Sequence, residues 1–475
     1  MSKEYDLVVL GGGPGGYVAA IRASQLGMNV AVVEKEKLGG TCLHKGCIPT
    51  KSLLKSASVY QKLLHAESFG IDSSEATINF SAVQSRKETI VNQLHEGVQA
   101  LMNKGKIDVF YGHGRILGPS IFSPMPGTIS IEHGSNEENT MIVPKNVLIA
   151  TGSHPISLES LPIDHVYTLT SDDILQLEAL PASVTIVGGG VIGVEWASML
   201  ADFGVHVTIV EYAKHLLPTM DRDISRAIEQ SFKQKGIIIY TESEVKSRTI
   251  NEADESITLT ATTTTEDEQL ITSEKVLVSV GRRPNTSHLG IENTSIETTN
   301  DYIVTNDYYQ TKESHIYAIG DVIGGMELAH VASHEGIVAV EHMANAQPIT
   351  INKNEVPACV YSNPEIATVG LTEAEARDEG FDVSVGKFPF QANGKALING
   401  DKEGFVKIIT DKRTNDLLGV HMIGSNVTEL ISEASLATFL DATPWEISKS
   451  IHPHPSLSEV VGEAALAVEN IHIHG

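Results

Sequence analysis

The sequence has little cysteine, little tryptophan and a deficit of positive charge. Three cysteines in 475 residues are too few for the disulfide framework of a secreted protein. Lysine and arginine number 34 against 60 aspartate and glutamate residues, and the formal net charge of −26 argues against nucleic acid, whose phosphates require a basic surface. The same charge is compatible with a basic protein partner or with plain solubility.

Long hydrophobic runs are also missing. The most apolar segment, VTIVGGGVIGVEWASML at 184–200, is broken by three consecutive glycines and by Glu195, so no membrane span is predicted. The first residues, MSKEYDLVVLGGG, combine mixed charge with a short apolar run before glycines, which is typical of a strand and not of a signal peptide. We therefore expect the chain in a reducing compartment, the cytoplasm, where a surviving disulfide is usually catalytic or redox-sensing.

A duplicated, glycine-rich pattern is present instead. Residues 5–34 and 183–211 each combine an apolar strand, the motif G-x-G-x-x-G, a helical stretch, a glycine stop and a second apolar strand that ends in glutamate. Glu34 and Glu211 each lie 23 positions after the first glycine of the motif. One such motif is weak evidence, but two copies with strand, helix and acid in the expected places predict two dinucleotide-binding βαβ units; glycine turns in unliganded units are the alternative.

The glycines of each copy have separate roles in such a unit. The first makes the tight turn, the second lets the backbone approach a pyrophosphate and the third lets helix pack on strand. They are Gly11, Gly13 and Gly16 in the first copy and Gly188, Gly190 and Gly193 in the second. Glu34 and Glu211 would accept hydrogen bonds from ribose hydroxyls, and Glu211 would repel a 2′-phosphate, although Lys214 lies nearby. The second site is therefore predicted to take NAD, and the first, closer in sequence to two cysteines, FAD.

Two of the three cysteines stand five positions apart in GGTCLHKGCIPTK, residues 39–51. The following segment has helical spacing of apolar residues with Pro49 near its start, so Cys42 and Cys47 are expected at or just before a helix N-terminus. There the helix dipole would lower the thiol pKa, which suits thiol–disulfide exchange. Two unpaired buried thiols are the alternative, and Cys359 is interpreted as a small buried apolar residue.

A dithiol exchange also needs a base, and the segment IHPHPSLSEVVGE at 451–463 offers one. Prolines on both sides of His454 stiffen the backbone, and Glu459 follows five residues later. A carboxylate on one ring nitrogen would fix the tautomer and raise the basicity of the other nitrogen. A structural histidine in a proline-rich turn is the alternative, and the rival bases are His452, His330 and His334.

Together these motifs resemble the FAD-dependent pyridine nucleotide–disulfide oxidoreductases along essentially the whole chain. The matching segments, in the family's order, are GGGPGGY, GGTCLHKGCIPTK, ATGS, GGGVIGVE, GRRPN, TKESHIYAIGDV and HPHPSLSE. The chain has neither the C-terminal cysteine pair of mercuric reductase-like members nor the basic residues of NADPH-dependent glutathione reductase-like members, so it is most similar to those that oxidise dihydrolipoamide. His44 and Lys45 depart from the signature, where asparagine and a small apolar residue are commoner. The stretch GRILGPSIFSPMPGTIS, 114–130, resembles the type that serves branched-chain 2-oxo acid dehydrogenase complexes.

The resemblance implies an activity and a role for each redox residue. Cys42 is the interchange thiol, Cys47 faces the flavin, and His454 with Glu459 is the acid–base, which reaches the cysteines from the other subunit of a homodimer. The chain would oxidise protein-bound dihydrolipoamide through a Cys42–Cys47 disulfide and FAD and reduce NAD⁺, with no metal. Its partners would be the lipoyl domains and the core acyltransferase of a 2-oxo acid dehydrogenase complex. Another NADH-dependent disulfide reductase on the same scaffold, or a non-catalytic flavoprotein subunit, is the alternative.

The resemblance also predicts cofactor contacts and domains. Lys51 and Glu195 match the family's ion pair beside the flavin, and Asp321 matches the acid that binds the ribityl chain. The further cofactor-binding positions are Thr151, Gly152, Gly281 and Ala329. The predicted fold is α/β, with two Rossmann-like domains and a C-terminal α+β dimerisation domain. The predicted boundaries are 1–149 for the first part of the FAD-binding domain, 150–280 for the NAD-binding domain, 281–347 for a central domain that completes the FAD site and 348–475 for the interface domain.

Overall fold

The computed structural model describes residues 4–72, 76–119, 125–134, 137–264 and 267–474. Its strands are β1 (Tyr5–Leu10), β2 (Val30–Glu34), β3 (Asp108–Tyr111), β4 (His113–Leu117), β5 (Thr128–Glu132), β6 (Thr140–Ile142), β7 (Pro144–Ile149), β8 (Ser153–Pro155), β9 (Thr168–Leu169), β10 (Ser183–Val187), β11 (His206–Val210), β12 (Ile238–Tyr240), β13 (Ser243–Asn251), β14 (Ser256–Thr263), β15 (Glu268–Ser273), β16 (Lys275–Val278), β17 (Arg282–Pro284), β18 (Thr298–Thr299), β19 (Tyr302–Ile303), β20 (Ile316–Ala318), β21 (Ala358–Val360), β22 (Glu365–Gly370), β23 (Val383–Pro389), β24 (Phe405–Asp411) and β25 (Leu417–Gly424). Its α-helices are α1 (Pro14–Gln25), α2 (Gly40–His44), α3 (Cys47–Leu64), α4 (Phe80–Lys104), α5 (Ser171–Ile174), α6 (Val191–Asp202), α7 (Arg222–Gln234), α8 (Ala329–Met343), α9 (Glu373–Asp378), α10 (Gly394–Asn399), α11 (Val427–Phe439), α12 (Pro444–Lys449) and α13 (Glu459–Ala467).

A parallel sheet in the order β20–β7–β1–β2–β3 contains the first predicted βαβ unit. Its strand β1 reads YDLVVL and is almost wholly buried, as expected for a parallel strand covered on both faces. Leu7 and Val9 belong to a core that they share with α1, α4 and α8, whereas Val8 and Leu10 belong to a core with β4, β5 and β6. The predicted strand, glycine turn, helix and second strand are confirmed as β1, α1 and β2.

A second parallel sheet, in the order β12–β11–β10–β16–β9, contains the second copy. Strand β10, helix α6 and strand β11 repeat the arrangement of β1, α1 and β2. Helix α6 reads VIGVEWASMLAD and is buried around most of its surface, which agrees with its lack of a polar face. The antiparallel strands β13, β14 and β15 lie between β12 and β16 in the chain.

The C-terminal part is an antiparallel sheet in the order β21–β22–β25–β24–β23. Helices α11, α12 and α13 share a hydrophobic core with this sheet, and Val406, Ile408 and Met422 lie fully buried within it. The predicted α+β architecture of this region is thereby confirmed.

The chain divides into two compact units. The first contains residues 1–52, 82–156 and 282–351, and the second contains residues 53–81, 157–281 and 352–475. The predicted four-part domain boundaries stay a prediction. The stretch 114–130 resembles the branched-chain type, but its residues 120–124 lie outside the described residues. The assignment to that type therefore stays a prediction. Among the described residues, no helix is both long enough and apolar enough to cross a bilayer.

Candidate active site

The first glycine turn has a geometry that only glycine allows. Gly11 has a φ of +103°, and a Cβ at this position would overlap the carbonyl oxygen of Ala150. A Cβ at Gly16 would overlap the carbonyl oxygen of Gly11, so the third glycine brings α1 against the turn. Gly13 is the N-cap of α1 and has no side chain with which to cap the first amide groups. This turn therefore fits a dinucleotide phosphate as predicted.

The second glycine turn has the same backbone geometry as the first. Gly188 has a φ of +107°, and a Cβ there would overlap the carbonyl oxygen of Ser279. A Cβ at Gly193 would overlap the carbonyl oxygen of Gly188, and Gly190 is the N-cap of α6. Gly281, two positions beyond Ser279, also has a positive φ, +127°.

The two acids end their strands in matching positions. Glu34 accepts the N–H groups of Gly12 and Glu36, each at 2.8 Å. Glu211 accepts the N–H group of Gly189 and, at 2.6 Å, that of Ala213. These bonds fix both carboxylates beside their glycine turns. Because a carboxylate offers about four acceptor positions, lone pairs are left for ribose hydroxyls.

The ATGS, GRRPN and AIGD segments meet beside the first turn. Ser153 Oγ donates to Asp321 Oδ2 at 2.5 Å, and Arg282 Nε donates to the same Oγ at 2.7 Å. Thr151 Oγ1 donates to the backbone carbonyl of Asn285 at 2.8 Å, and the Asn285 side-chain amide donates back to the carbonyl of Thr151 at the same distance. Asp321 is thus held by Ser153. Ser153, Arg282 and Asn285 were not among the predicted cofactor-binding residues, although they belong to the motifs ATGS and GRRPN.

Two more of the predicted cofactor positions lie in the same unit. Gly152, with a φ of +69°, accepts the N–H group of Asn285 through its carbonyl, at 2.8 Å. Ala329 is the first residue of α8, and Leu328 is the N-cap of that helix. Another helix N-terminus therefore lies in this unit. The residues present therefore fit a dinucleotide cofactor at the first turn by their open helix ends and fixed acids.

The cysteine-bearing helix begins against the first glycine turn. A Cβ at Gly40 would lie 2.6 Å from Gly13 Cα, so the two backbones pass in close contact. The Gly39 N–H group donates to the Gly12 carbonyl at 2.8 Å. Helix α2 starts at Gly40 and carries Cys42, and Cys47 is the first residue of α3. The pair predicted at a helix N-terminus therefore lies on two successive helices beside the dinucleotide turn.

The pKa of the Cys42 thiol moves in the direction opposite to the prediction. Its hydrogen bond with Cys47 and its burial raise the pKa well above the ordinary value, while the charge of Lys51 opposes the shift. The expectation of a lowered pKa is wrong for Cys42, because as a dithiol the pair shares a proton in a largely buried place. Formation of a thiolate at Cys42 in the reduced pair therefore needs a base.

The hydrogen bonds of the candidate histidines distinguish His454 from the rival bases. His454 Nδ1 bonds Glu459 Oε1 at 2.8 Å, which is the predicted pairing. His452 Nε2 bonds Glu433 Oε1 at 2.7 Å, and that carboxylate raises the pKa of His452 although burial opposes it. The ring of His334 lies on α8 and bonds the carbonyl of His330 one turn earlier, at 2.9 Å. Of these four histidines, His454 combines a hydrogen bond to a carboxylate with a side chain that is 80% exposed.

The predicted ion pair has one buried member. Glu195 is buried on α6, and its Oε1 accepts the N–H group of Tyr361 at 2.9 Å. Lys51 lies one turn into α3, close enough to Cys42 to act on its pKa. The pairing of Lys51 with Glu195, and the meeting of His454 with the cysteines, stay predictions. Within the described part of the chain, no group of three or more His, Cys, Asp and Glu residues is arranged to hold a metal ion.

Comparison with known proteins agrees with this geometry. Residues 5–336 match the profile of the pyridine nucleotide-disulphide oxidoreductases, and residues 356–465 match that of the family's dimerisation domain. The chain is 58% identical to a dihydrolipoyl dehydrogenase of Bacillus subtilis over the full length of both, and 39% identical to one of Zymomonas mobilis, again over both full lengths. The crystal structure of LpdA from Mycobacterium tuberculosis superposes with a TM-score of 0.89 at 28% identity, covering 97% of this chain and 98% of that one.

These similarities confirm the predicted fold class and enzyme class, with FAD and NAD as the cofactors. The 332 residues matched by the first profile hold both glycine turns and the cysteine pair, and the second profile holds His454 and Glu459. The chain therefore belongs to the pyridine nucleotide-disulphide oxidoreductase family.

Proposed function

We propose that this chain is a dihydrolipoyl dehydrogenase that oxidises protein-bound dihydrolipoamide and reduces NAD⁺ through the Cys42–Cys47 pair. The observation that carries the proposal is the close approach of Gly40 to Gly13, which sets the helix bearing Cys42 directly on the first dinucleotide turn. A hydrogen bond joins Cys42 to Cys47, so the two sulfur atoms are neighbours. A dithiol that close to a dinucleotide site suits two-electron exchange.

The residues of the chain supply proton transfer and sulfur exchange. His454 accepts a proton from one thiol of dihydrolipoamide, and the resulting thiolate attacks Cys42 of the Cys42–Cys47 disulfide. A bond forms between Cys42 and the lipoyl sulfur, and the bond between the cysteines breaks, leaving Cys47 as thiolate. The second lipoyl thiol attacks the lipoyl sulfur bonded to Cys42, and its proton passes to Cys42 as that sulfur leaves. Lipoamide is released, and the reduced pair consists of the Cys42 thiol and the Cys47 thiolate, with the first proton on His454. Glu459 holds the His454 ring in one tautomer throughout.

The cofactors would be held by the two glycine turns. Gly11, Gly13, Gly16 and Glu34 would hold FAD together with Thr151, Gly152, Asp321 and Ala329, and Gly188, Gly190, Gly193, Glu211 and Gly281 would hold NAD. When bound, FAD supplies a two-electron carrier between the dithiol and the nicotinamide, a function that amino-acid side chains do not provide. Lys51 and Glu195 are proposed to pair beside it. Glu211 favours NAD over NADP because a 2′-phosphate would meet its negative charge.

The proposed setting is a homodimer in a cytoplasmic 2-oxo acid dehydrogenase complex. The match of residues 356–465 to a dimerisation domain supports the dimer, in which His454 would serve the cysteines of the other subunit. Lipoyl domains and the core acyltransferase would be its protein partners. The branched-chain type of complex is favoured by the resemblance of residues 114–130.

Replacement of Cys47 tests the proposal. Cys47→Ser should abolish the reduction of NAD⁺ by dihydrolipoamide while the purified protein stays yellow, because flavin binding does not need the thiol. Cys359→Ser, the matched control, should keep full turnover. The assay follows NADH absorbance with dihydrolipoamide, and a parallel panel follows NADH oxidation with small disulfides.

Two outcomes would contradict the proposal. Retained turnover in Cys47→Ser would remove the cysteine pair from the reaction. Turnover of a small disulfide, with none of dihydrolipoamide, would instead favour another NADH-dependent disulfide reductase on the same scaffold.

A further inference from the structure

The two signature residues that depart from the family pattern, His44 and Lys45, lie at the end of the helix that carries Cys42. His44 Nε2 bonds the carbonyl oxygen of Leu38 at 2.9 Å. The same oxygen is bonded by Nδ1 of His95, on α4, also at 2.9 Å. The two rings meet edge to face with their centroids 5.2 Å apart.

The shared acceptor fixes the tautomers of both rings. A carbonyl oxygen can only accept hydrogen bonds, so the proton lies on Nε2 of His44 and on Nδ1 of His95. The contacts run in series, since α2 is tied through His44 to Leu38, and Leu38 is tied through His95 to α4. Loss of either ring would therefore break the same connection.

Leu38 is itself anchored to the dinucleotide turn. Its buried side chain fills the space beside Gly12, where an added Cβ would come within 2.6 Å of Leu38 Cδ2. The next residue, Gly39, donates its N–H group to the Gly12 carbonyl at 2.8 Å. The carbonyl that the two rings share thus belongs to a segment that lies against the glycine turn.

We propose that His44, acting with His95, is a positioning residue for Cys42: the two imidazoles clamp the Leu38 carbonyl and so fix the short redox helix relative to the dinucleotide turn. A helix of only five residues has too few internal hydrogen bonds to hold its own orientation. The inference rests on the proposed function, because it concerns the reactivity of the same thiol. Neither ring is assigned a contact with substrate or cofactor.

Paired substitutions separate the hydrogen bond from packing. His44→Gln keeps an N–H donor of similar reach, whereas His44→Leu keeps bulk and loses the donor. We expect His44→Leu to lower kcat/KM for dihydrolipoamide on the order of tenfold, as a misplaced reacting group does, and His44→Gln to stay near the original value. In the reduced holoenzyme, iodoacetamide should alkylate Cys42 several-fold faster in His44→Leu, measured by peptide mass spectrometry.

His95 and Lys45 supply the second comparison. His95→Leu should reproduce the effects of His44→Leu, and the double variant should be no worse than either, because the contacts run in series. Lys45→Met is the matched control: its 2.7 Å ion pair with Glu36 joins two well-exposed side chains, so both readouts should stay unchanged. NADH oxidation by ferricyanide, which does not need the disulfide, should be the same in all variants.

The results that would contradict the clamp differ from those that would contradict the proposed function. Equal loss in His44→Gln and His44→Leu, additive losses in the double variant, or an equal loss in Lys45→Met would each overturn the clamp. So would alkylation of Cys42 at an unchanged rate in His44→Leu. An unsubstituted enzyme without dihydrolipoamide turnover would refute the proposed function alone, because the alkylation rates still report on the clamp. If His44→Leu fails to fold, the comparison of His95→Leu with His95→Gln decides in the same way.

Discussion

At the scale of single residues, His454 combines exposure with a fixed orientation. Its Nδ1 bonds Glu459, whose other oxygen accepts the N–H group of Ser456 at 2.9 Å. Burial acts to raise the pKa of Glu459, but these two hydrogen bonds outweigh it and lower that pKa. Glu459 therefore stays an anion at neutral pH and holds the proton of His454 on Nδ1. Nε2 is then the nitrogen that accepts a proton from a thiol.

This arrangement predicts a graded loss of rate. His454→Gln should slow the thiol half-reaction by about 10²–10⁴-fold, the usual contribution of a general base. Glu459→Gln should slow it less, because the base remains and only its orientation is lost. Rapid mixing of the enzyme with dihydrolipoamide in the absence of NAD⁺ measures this step directly. His452→Gln is the control, since its ring is engaged by Glu433, and an equal loss there would show that the base is misassigned.

At the scale of elements, a buried lysine joins α7, α9 and β24. Lys407 Nζ lies 3.0 Å from both carboxylate oxygens of Asp221, 3.2 Å from Asp223 and 2.8 Å from Glu373, and only 3% of its side chain is exposed. Burial would raise the pKa of Asp221, but His421 and Lys407 lower it. Asp221 also caps α7 by accepting the N–H group of Asp223. The buried Asp221 therefore has its direct ion pair with Lys407, whereas Asp223 and Glu373 are more exposed and also pair with Lys387 and Arg377.

Removal of that cation should destabilise the fold strongly. We expect Lys407→Met to lower the free energy of unfolding by about 3–5 kcal/mol at pH 7, because it leaves the buried carboxylate of Asp221 without its ion-pair partner. The penalty should shrink as the pH falls toward about 4, where the uncompensated carboxyl groups take up protons. Thermal unfolding at several pH values measures both effects. Lys387→Met, at an exposed partner of Asp223, should change stability by less than about 1 kcal/mol, and an equal effect of both would contradict this account.

The elements differ in how far their sequence predicts them. The two βαβ units follow from local signals, namely apolar strands, glycines that no other residue can replace and acids at a fixed offset. The burial of Lys407 has no such local signal. The segment GFVKIITD is typical of a strand whose lysine faces solvent, and the partner of this lysine in the fold, Asp221, lies 186 positions away in the sequence. His95 likewise meets Leu38 across 57 positions. The pKa of Cys42 was mispredicted because the helix dipole is local, whereas the proton shared with Cys47 depends on tertiary packing.

At the scale of the whole molecule, the C-terminal region leaves an apolar surface uncovered in the single chain. Large apolar side chains on and after α11 and α12 are exposed: Leu436, Phe439, Leu440, Trp445 and Ile451, the last of them at 97%. Exposed apolar side chains in such number are typical of a protein interface, in agreement with the match of residues 356–465 to the family's dimerisation domain. The segment that carries His454 follows Ile451 directly. A second copy of the chain on this surface would therefore bring its partner close to the proposed base.

Hybrid dimers test whether the base acts across that interface. Cys42→Ser and His454→Gln homodimers should each be inactive, and in a hybrid one site would combine both defects while the other would have neither. Equal amounts exchanged to completion should therefore recover about a quarter of the original activity, as expected for a symmetric dimer with two shared sites. If His454 served the cysteines of its own chain, every site of the hybrid would carry one defect and no activity would return. Mixing Cys42→Ser with Cys47→Ser, two defects on the same side of the site, is the control and should stay inactive in either case.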